Sequence, residues 1–212
     1  VRVGGAHGGV SVGPDGATHQ ALEDIAIMRV LPNMKVLVPA DSNQTRAAVL
    51  ASLDMEGPVY IRFGRNPVPQ IYPRDEAVVP GKGRLLREGS DVTLAACGAM
   101  VAAALKAAEM LSRGGIEAAV MDMVSVKPLD SRLLTEQAGG TGALVVAEDH
   151  QAAGGLFGAV AEALAPFPGI RVVSVAVGDS FGTSGDPEQV MDRYGLTASA
   201  VEERARAVLG LK

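Results

Sequence analysis

Short apolar runs of strand character alternate with segments of helical period along this chain. That alternation limits the fold most, because it is the pattern of a mainly parallel sheet with helices on its faces. Val36-Leu37-Val38, Val59-Tyr60-Ile61, Val92 to Ala96, Ala118 to Met121, Ala143 to Ala147 and Arg171 to Val175 read as strands. Between them Leu22, Ile25, Ala26 and Arg29 recur at helical spacing, as do Val101, Ala104, Leu105, Ala108 and Leu111. Further helices are expected from a Ser42 cap to about Leu53, from Asp130, from Gly155 and at the end of the chain. In the last, Glu202 and Glu203 precede Arg204 and Arg206, the order that the helix dipole favours. The alternation stops between Asn66 and Gly81, where Pro67, Pro69, Pro73 and Pro80 interrupt any helix or central strand. The expected class is therefore α/β: two three-layer α/β/α units with mainly parallel sheets, over 1–66 and 83–212, joined by a linker over 67–82.

A chain of 212 residues that is 48% hydrophobic can bury a sizeable core. Its net charge of −5, with no cluster of Lys and Arg, argues against a nucleic-acid surface, which must neutralise phosphates. Cys97 is the only cysteine, so no intramolecular disulfide is possible and nothing asks for an oxidising compartment; a cytoplasmic protein is expected. Cys97 itself, at the end of a strand, reads as a small buried hydrophobe. No apolar run is long enough to span a bilayer, so no membrane partner is expected, and Val1 to Gly13 lack the features of a signal peptide. The opening Val-Arg-Val-Gly-Gly reads as a continuation of something larger.

The polar chemistry concentrates in the first twenty residues, in the order His7-Gly8-Gly9, Gly13-Pro14-Asp15-Gly16, Thr18-His19-Gln20. Such a segment is a loop whose glycines let the backbone approach a ligand, and a helix expected to start near His19 would offer unpaired N–H groups. No Gly-Lys-Ser/Thr follows the glycines, so the loop is not a Walker phosphate cradle, nor does it match the dinucleotide fingerprint. The alternative is purely structural: Asp15 turning with Gly16, Thr18 capping a helix, and two histidines acting as satisfied donors. Glu148-Asp149-His150 before Gly154-Gly155 likewise reads either as a ligand site at a helix start or as a turn with a capping carboxylate.

The run Gly13-Pro14-Asp15-Gly16-Ala17-Thr18-His19-Gln20, with Leu31-Pro32-Asn33-Met34 and Val38-Pro39-Ala40-Asp41, resembles the pyrimidine-binding domain of transketolases. The likeness continues through Gly57-Pro58-Val59-Tyr60-Ile61-Arg62 and Arg65 to Gly182-Thr183-Ser184-Gly185 and Tyr194-Gly195-Leu196-Thr197, where the chain is similar to the C-terminal domain of the same enzymes. The resemblance implies transfer of a two-carbon ketol unit between sugar phosphates by thiamine diphosphate with magnesium, the cofactor carrying the carbanion chemistry. By matching position His7 and His19 resemble histidines that contact the substrate, the latter at the reacting hydroxyls. Asp15 resembles an aspartate bonded to the donor sugar's hydroxyl, and Arg65 resembles the arginine that takes the phosphate. Each residue type suits its role: a carboxylate accepts from hydroxyls, a guanidinium fits a phosphate, and an imidazole relays protons near neutral pH. Arg62 reads instead as a surface arginine after a strand.

In the family, a separate N-terminal domain with a Gly-Asp-Gly motif holds magnesium and the diphosphate, and an upstream glutamate activates the cofactor's aminopyrimidine. Neither occurs in this sequence. The resemblance therefore implies that the first unit is incomplete, that the chain alone binds no cofactor and no metal, and that its partners are an N-terminal transketolase portion and a second copy in a homodimer. Relatives with the same Asp15 and His19 pattern, 1-deoxy-D-xylulose-5-phosphate synthase and the beta subunit of 2-oxo acid dehydrogenases, are alternatives, as is a non-enzymatic assembly domain. His7 favours transketolase, since the synthase has an arginine in that neighbourhood.

Overall fold

The computed structural model describes residues 1–211. Its strands are β1 (Arg2–Gly5), β2 (Lys35–Leu37), β3 (Val59–Arg62), β4 (Arg84–Arg87), β5 (Val92–Ala96), β6 (Ala118–Asp122), β7 (Ser125–Lys127), β8 (Ala143–Gln151) and β9 (Arg171–Val177). Its helices are α1 (Asp24–Val30), α2 (Ser42–Leu53), α3 (Met100–Arg113), α4 (Ser131–Thr141), α5 (Leu156–Leu164), α6 (Pro187–Arg193) and α7 (Ala198–Leu209).

The strands form two sheets, ordered β1-β3-β2-β7 and β4-β6-β5-β8-β9. In the first, β1 and β2 flank β3 in parallel, and in the second β6, β5, β8 and β9 run parallel; β7 and β4 are the antiparallel edges. The fold is α/β with mostly parallel sheets, as the alternation predicts. Strand β5 is buried along its whole length, so successive residues serve opposite faces. Leu94 and Ala96 pack with α3 and α7, while Ala95 and Cys97 pack with α4 and α5.

The two sheets are not independent bodies. Val36, Val38 and Tyr60 of the first share one apolar cluster with Met121, Leu144 and Val146 of the second. Strand β7, from the later part of the chain, pairs with β2 and covers that edge of the first sheet, leaving β1 as its open edge. The proline-rich stretch has no regular structure but is strapped down. The Asp41 carboxylate accepts from the N–H groups of Ile71 (2.7 Å) and Tyr72 (2.8 Å), and the buried Tyr72 hydroxyl donates to Asp122 (2.7 Å). Burial raises the Tyr72 phenol well above its ordinary range, with Asp122 adding to the shift.

Two local expectations are corrected. Asp41, not Ser42, caps α2, its carboxylate accepting from the Gln44 N–H at 2.7 Å. No helix starts near His19. Helix α1 begins at Asp24, and the His19 N–H donates to Gly16 O at 3.0 Å inside a turn.

Candidate functional site

Strands β1 and β3 are parallel neighbours, so their C-terminal ends open on one side of the sheet, where open α/β sheets take ligands. The turns that follow them carry His7 and Arg65, and the Gly8 N–H donates to Phe63 O at 3.2 Å, holding the two turns side by side. The chain then runs through a 3-10 segment, Val10–Asp15, and returns. On the return, the Ala21 N–H donates to His7 O (3.0 Å) and the Gly9 N–H to Ala21 O (2.9 Å). These bonds set the His7 and His19 rings with centroids 6.3 Å apart, tilted by 59°. Thr18 Oγ1 lies 3.0 Å from His19 Nδ1. A few residues away, Arg65 donates to the Asp15 carboxylate in an exposed ion pair.

The four residues singled out in the sequence thus gather at one loop edge, as an imidazole pair and a carboxylate–guanidinium pair. His7 has φ of 62°, a left-handed backbone that a residue with a Cβ adopts only when its surroundings impose it. The expected helix N–H groups at His19 are not there, because α1 starts later and is short. A ligand at this edge is met by side chains and loop backbone, not by a helix N-terminus. Two imidazoles can exchange protons with neighbouring hydroxyls, the carboxylate can accept from a hydroxyl, and the guanidinium can take a phosphate bidentately.

Behind this edge lies a buried charge network that the sequence reading missed. Arg62 is not a surface residue; it is 5% exposed, and Nε donates to Asp24 at 2.9 Å. Its Nη2 donates to Ala21 O (2.9 Å) and Asp149 O (2.8 Å). Asp24 also accepts from the Tyr60 hydroxyl at 2.7 Å. Burial works against the charge of Arg62, yet Asp24 and then Asp149 outweigh it and raise its affinity for the proton. All four positions of β3 are buried, and that pattern signals that an arginine ending the strand must find carboxylates inside.

Glu148, Asp149 and His150 at the end of β8 are all committed to structure. Glu148 accepts from the Leu156 and Phe157 N–H groups (2.7 and 2.8 Å), capping α5 as the structural reading has it. Burial pushes its carboxyl up to about 7 despite those bonds. Asp149 accepts from the Val10 N–H at 2.8 Å. His150 is lowered to about 4 by burial and then by Arg62, so it is neutral near pH 7 and its 3.7 Å approach to Glu148 is not an ion pair. Cys97 is buried, and burial pushes its thiol up, away from a nucleophile's range. A cavity of about 940 Å³ between the sheets is lined by Gly8, Ser11, Arg62, Asp149 and Met191 among others, but by none of His7, Asp15, His19 or Arg65. The lining also includes Asp41, Thr45, Glu188 and Asp192, so this cavity is a polar space of its own beside the loop edge. No helix of the described residues is long and apolar enough to cross a membrane.

Residues 1–70 match the family model for the transketolase pyrimidine binding domain, and residues 81–201 match the one for the transketolase C-terminal domain. A protein of Methanocaldococcus jannaschii named as a transketolase C-terminal section is 38% identical over 96% of this chain and 65% of its own length. A 6-deoxy-6-sulfo-D-fructose transketolase subunit of Clostridium sp. is 41% identical over 98% of this chain and 65% of its own length. The chain thus spans about two thirds of the length of these curated relatives. A 1-deoxy-D-xylulose-5-phosphate synthase of Heliobacterium modesticaldum is 40% identical over 94% of this chain but 31% of its own length. Among solved structures, one described as a split gene transketolase, inactive beta4 tetramer, superposes with a TM-score of 0.93 at 50% identity, over 100% of this chain and 68% of its own. A loop edge carrying the residues expected of that family, on sheets that superpose on a split transketolase, agrees with both family models: the chain belongs to the transketolase family, matching its pyrimidine-binding and C-terminal domains.

Proposed function

We propose that this chain is the substrate-contacting part of a transketolase, which transfers a two-carbon ketol unit between sugar phosphates in a complete, cytoplasmic enzyme. The observation that carries the reading is the gathering of His7, His19, Asp15 and Arg65 where β1 and β3 end. Asp15 orients a donor hydroxyl by accepting its hydrogen bond, His7 and His19 hold and move protons at the reacting hydroxyls, and Arg65 takes the phosphate. In this structure Asp15 and Arg65 satisfy each other, so a sugar phosphate binds by separating or bridging them.

Thiamine diphosphate with magnesium, the family's cofactor, supplies the carbanion chemistry when bound. The donor set at this edge suits a sugar phosphate and does not fit the cofactor's metal and diphosphate. Among the described residues no three His, Cys, Asp or Glu side chains converge to hold a metal ion, and the site's one guanidinium is already paired. The partner is therefore an N-terminal transketolase portion that brings the diphosphate site, in an assembly containing two copies of this chain. The description of the similar split-gene protein as an inactive tetramer of one chain type supports that division.

Calorimetric titration with thiamine diphosphate and magnesium is the direct test. The chain alone should show no saturable binding, and the chain mixed with its N-terminal partner should bind the cofactor and transfer ketol units. Micromolar binding or turnover by the chain alone would overturn the division. The similarity to a 1-deoxy-D-xylulose-5-phosphate synthase favours a second reading. Carbon dioxide release from pyruvate with a triose phosphate, in place of ketol transfer, would select it.

A further inference from the structure

The loop that carries His7 belongs to the first sheet, but its conformation is held from the second. Strand β8 pairs with β5 and β9, and its end reaches under the loop. There Asp149 Oδ1 accepts from the Val10 N–H at 2.8 Å, and Oδ2 lies 3.4 Å from the Ser11 nitrogen. The contact is close enough that a Cβ on Gly9, whose φ is 92°, would collide with the Asp149 carboxylate. Arg62 Nη2 bridges Asp149 O to Ala21 O, and Ala21 is the residue whose backbone bonds both His7 and Gly9. The Gln151 N–H, two residues further along the strand, donates to Leu22 O at 2.9 Å. On the far flank, Gln20 Nε2 links Val10 O (3.2 Å) to Thr183 O (2.9 Å). Val10 and Ser11 have no other acceptor for these N–H groups among the described residues.

We propose that Asp149 is a positioning residue. Its carboxylate, carried on a backbone whose carbonyl Arg62 holds, pins the Val10–Ser11 turn from the second sheet, and this keeps His7 in its left-handed conformation opposite His19. The role rests on the reading of His7 and His19 as the groups that contact substrate. It gives the C-terminal domain a direct part in the geometry of the site. Asp149 acts through the backbone and touches no reacting atom.

The chain has three histidines, so single His variants assign each imidazole in an NMR spectrum of the 212-residue chain. Asp149→Ala, or Asp149→Ser should the alanine variant not fold, should shift or broaden the His7 and His19 signals. Asp149→Asn keeps one acceptor for the Val10 N–H and should leave them near their wild-type positions. Val146→Ala, which thins the core of the same strand, controls for destabilisation alone and should leave both signals in place. In the enzyme assembled with its partner, Asp149→Ala should lower kcat/KM for the donor sugar about tenfold or more, and Asp149→Asn by about threefold at most. Unchanged His7 signals in Asp149→Ala, or equal changes in Val146→Ala, would overturn the proposal. The spectra need no turnover, so an assembled wild type without ketol transfer would count against the proposed function only.

Discussion

Arg62 and Arg65 stand three positions apart and meet opposite fates. Arg62 ends a strand that is buried at every position, and it survives there because Asp24 and two backbone carbonyls take up its donors. Arg65 lies beyond the strand, its side chain 45% exposed and, among the described residues, paired with Asp15 alone, an exposed pairing of the kind that the proposed phosphate role requires. Replacing Arg65 with alanine should therefore cost about 1.5–3 kcal/mol in transition-state binding of phosphorylated sugars, the scale of a charged hydrogen bond. Non-phosphorylated ketoses should hardly respond in the assembled enzyme, and equal losses in kcat/KM for both substrate types would remove Arg65 from the phosphate role. His7, Asp15, His19 and Arg65 were singled out in the sequence by residue type and family spacing, and the structure pairs His7 with His19 and Asp15 with Arg65. Arg62, Asp24 and Asp149 could not be singled out there, because their roles depend on contacts 38 and 87 residues apart.

Helix α2 shows how a capping residue can do more than start a helix. Asp41 Oδ1 caps α2 through Gln44, while Oδ2 accepts from the Ile71 and Tyr72 N–H groups and from Gln70 Nε2 (2.5 Å). Asp41→Ala should lose the cap, about 1 kcal/mol, and also strand buried donors at about 1–3 kcal/mol each. Chemical denaturation should report a loss of at least about 3 kcal/mol, beyond what a cap alone supplies, and limited proteolysis should open new cuts between Pro67 and Lys82. A loss confined to about 1 kcal/mol, with that stretch still resistant, would mean Asp41 is only a cap. The long alternating elements were legible in the sequence because periodicity and burial agree there: β5 falls on Val92–Ala96 and α3 on the stripe from Val101 to Leu111. Strands β1, β4 and β7 were not. Two glycines, a pair of flanking arginines and a length of three residues respectively hide them, and each is a strand only because a neighbour pairs with it. The stripe through Leu22, Ile25 and Arg29 gave a helix but not its start, since Glu23 at the N-cap position makes no side-chain cap.

At the scale of the whole molecule, the shared apolar core between the sheets encloses charges whose titration must show in stability. Burial raises Glu148 to about 7 and Asp122 to about 6, and it raises Asp149 in the same direction; it lowers His150 to about 4. The signs oppose one another. A carboxyl raised by folding binds its proton more tightly in the folded state, so its contribution is complete below the unfolded value and is lost as pH rises through the folded one. A histidine lowered by folding contributes fully above its unfolded value and loses that contribution as pH falls. Between about pH 4.5 and 6 these effects partly cancel. Above about pH 6.5 the unfolded His150 is still losing its proton, which opposes the raised carboxyls, so the part that belongs to Glu148 is read as a difference from a variant lacking that carboxyl. Relative to Glu148→Gln, the wild-type chain should lose about 1 kcal/mol of unfolding free energy between pH 6.5 and 8, from one group titrating near 7. Glu148→Gln keeps an acceptor for one of the two α5 N–H groups but has no proton to release, so its stability will differ by an offset and lack that loss over the same interval. Urea denaturation of both proteins at half-unit pH steps measures the two slopes. Parallel curves would assign the titration to another group and place the Glu148 carboxyl at its ordinary acidity.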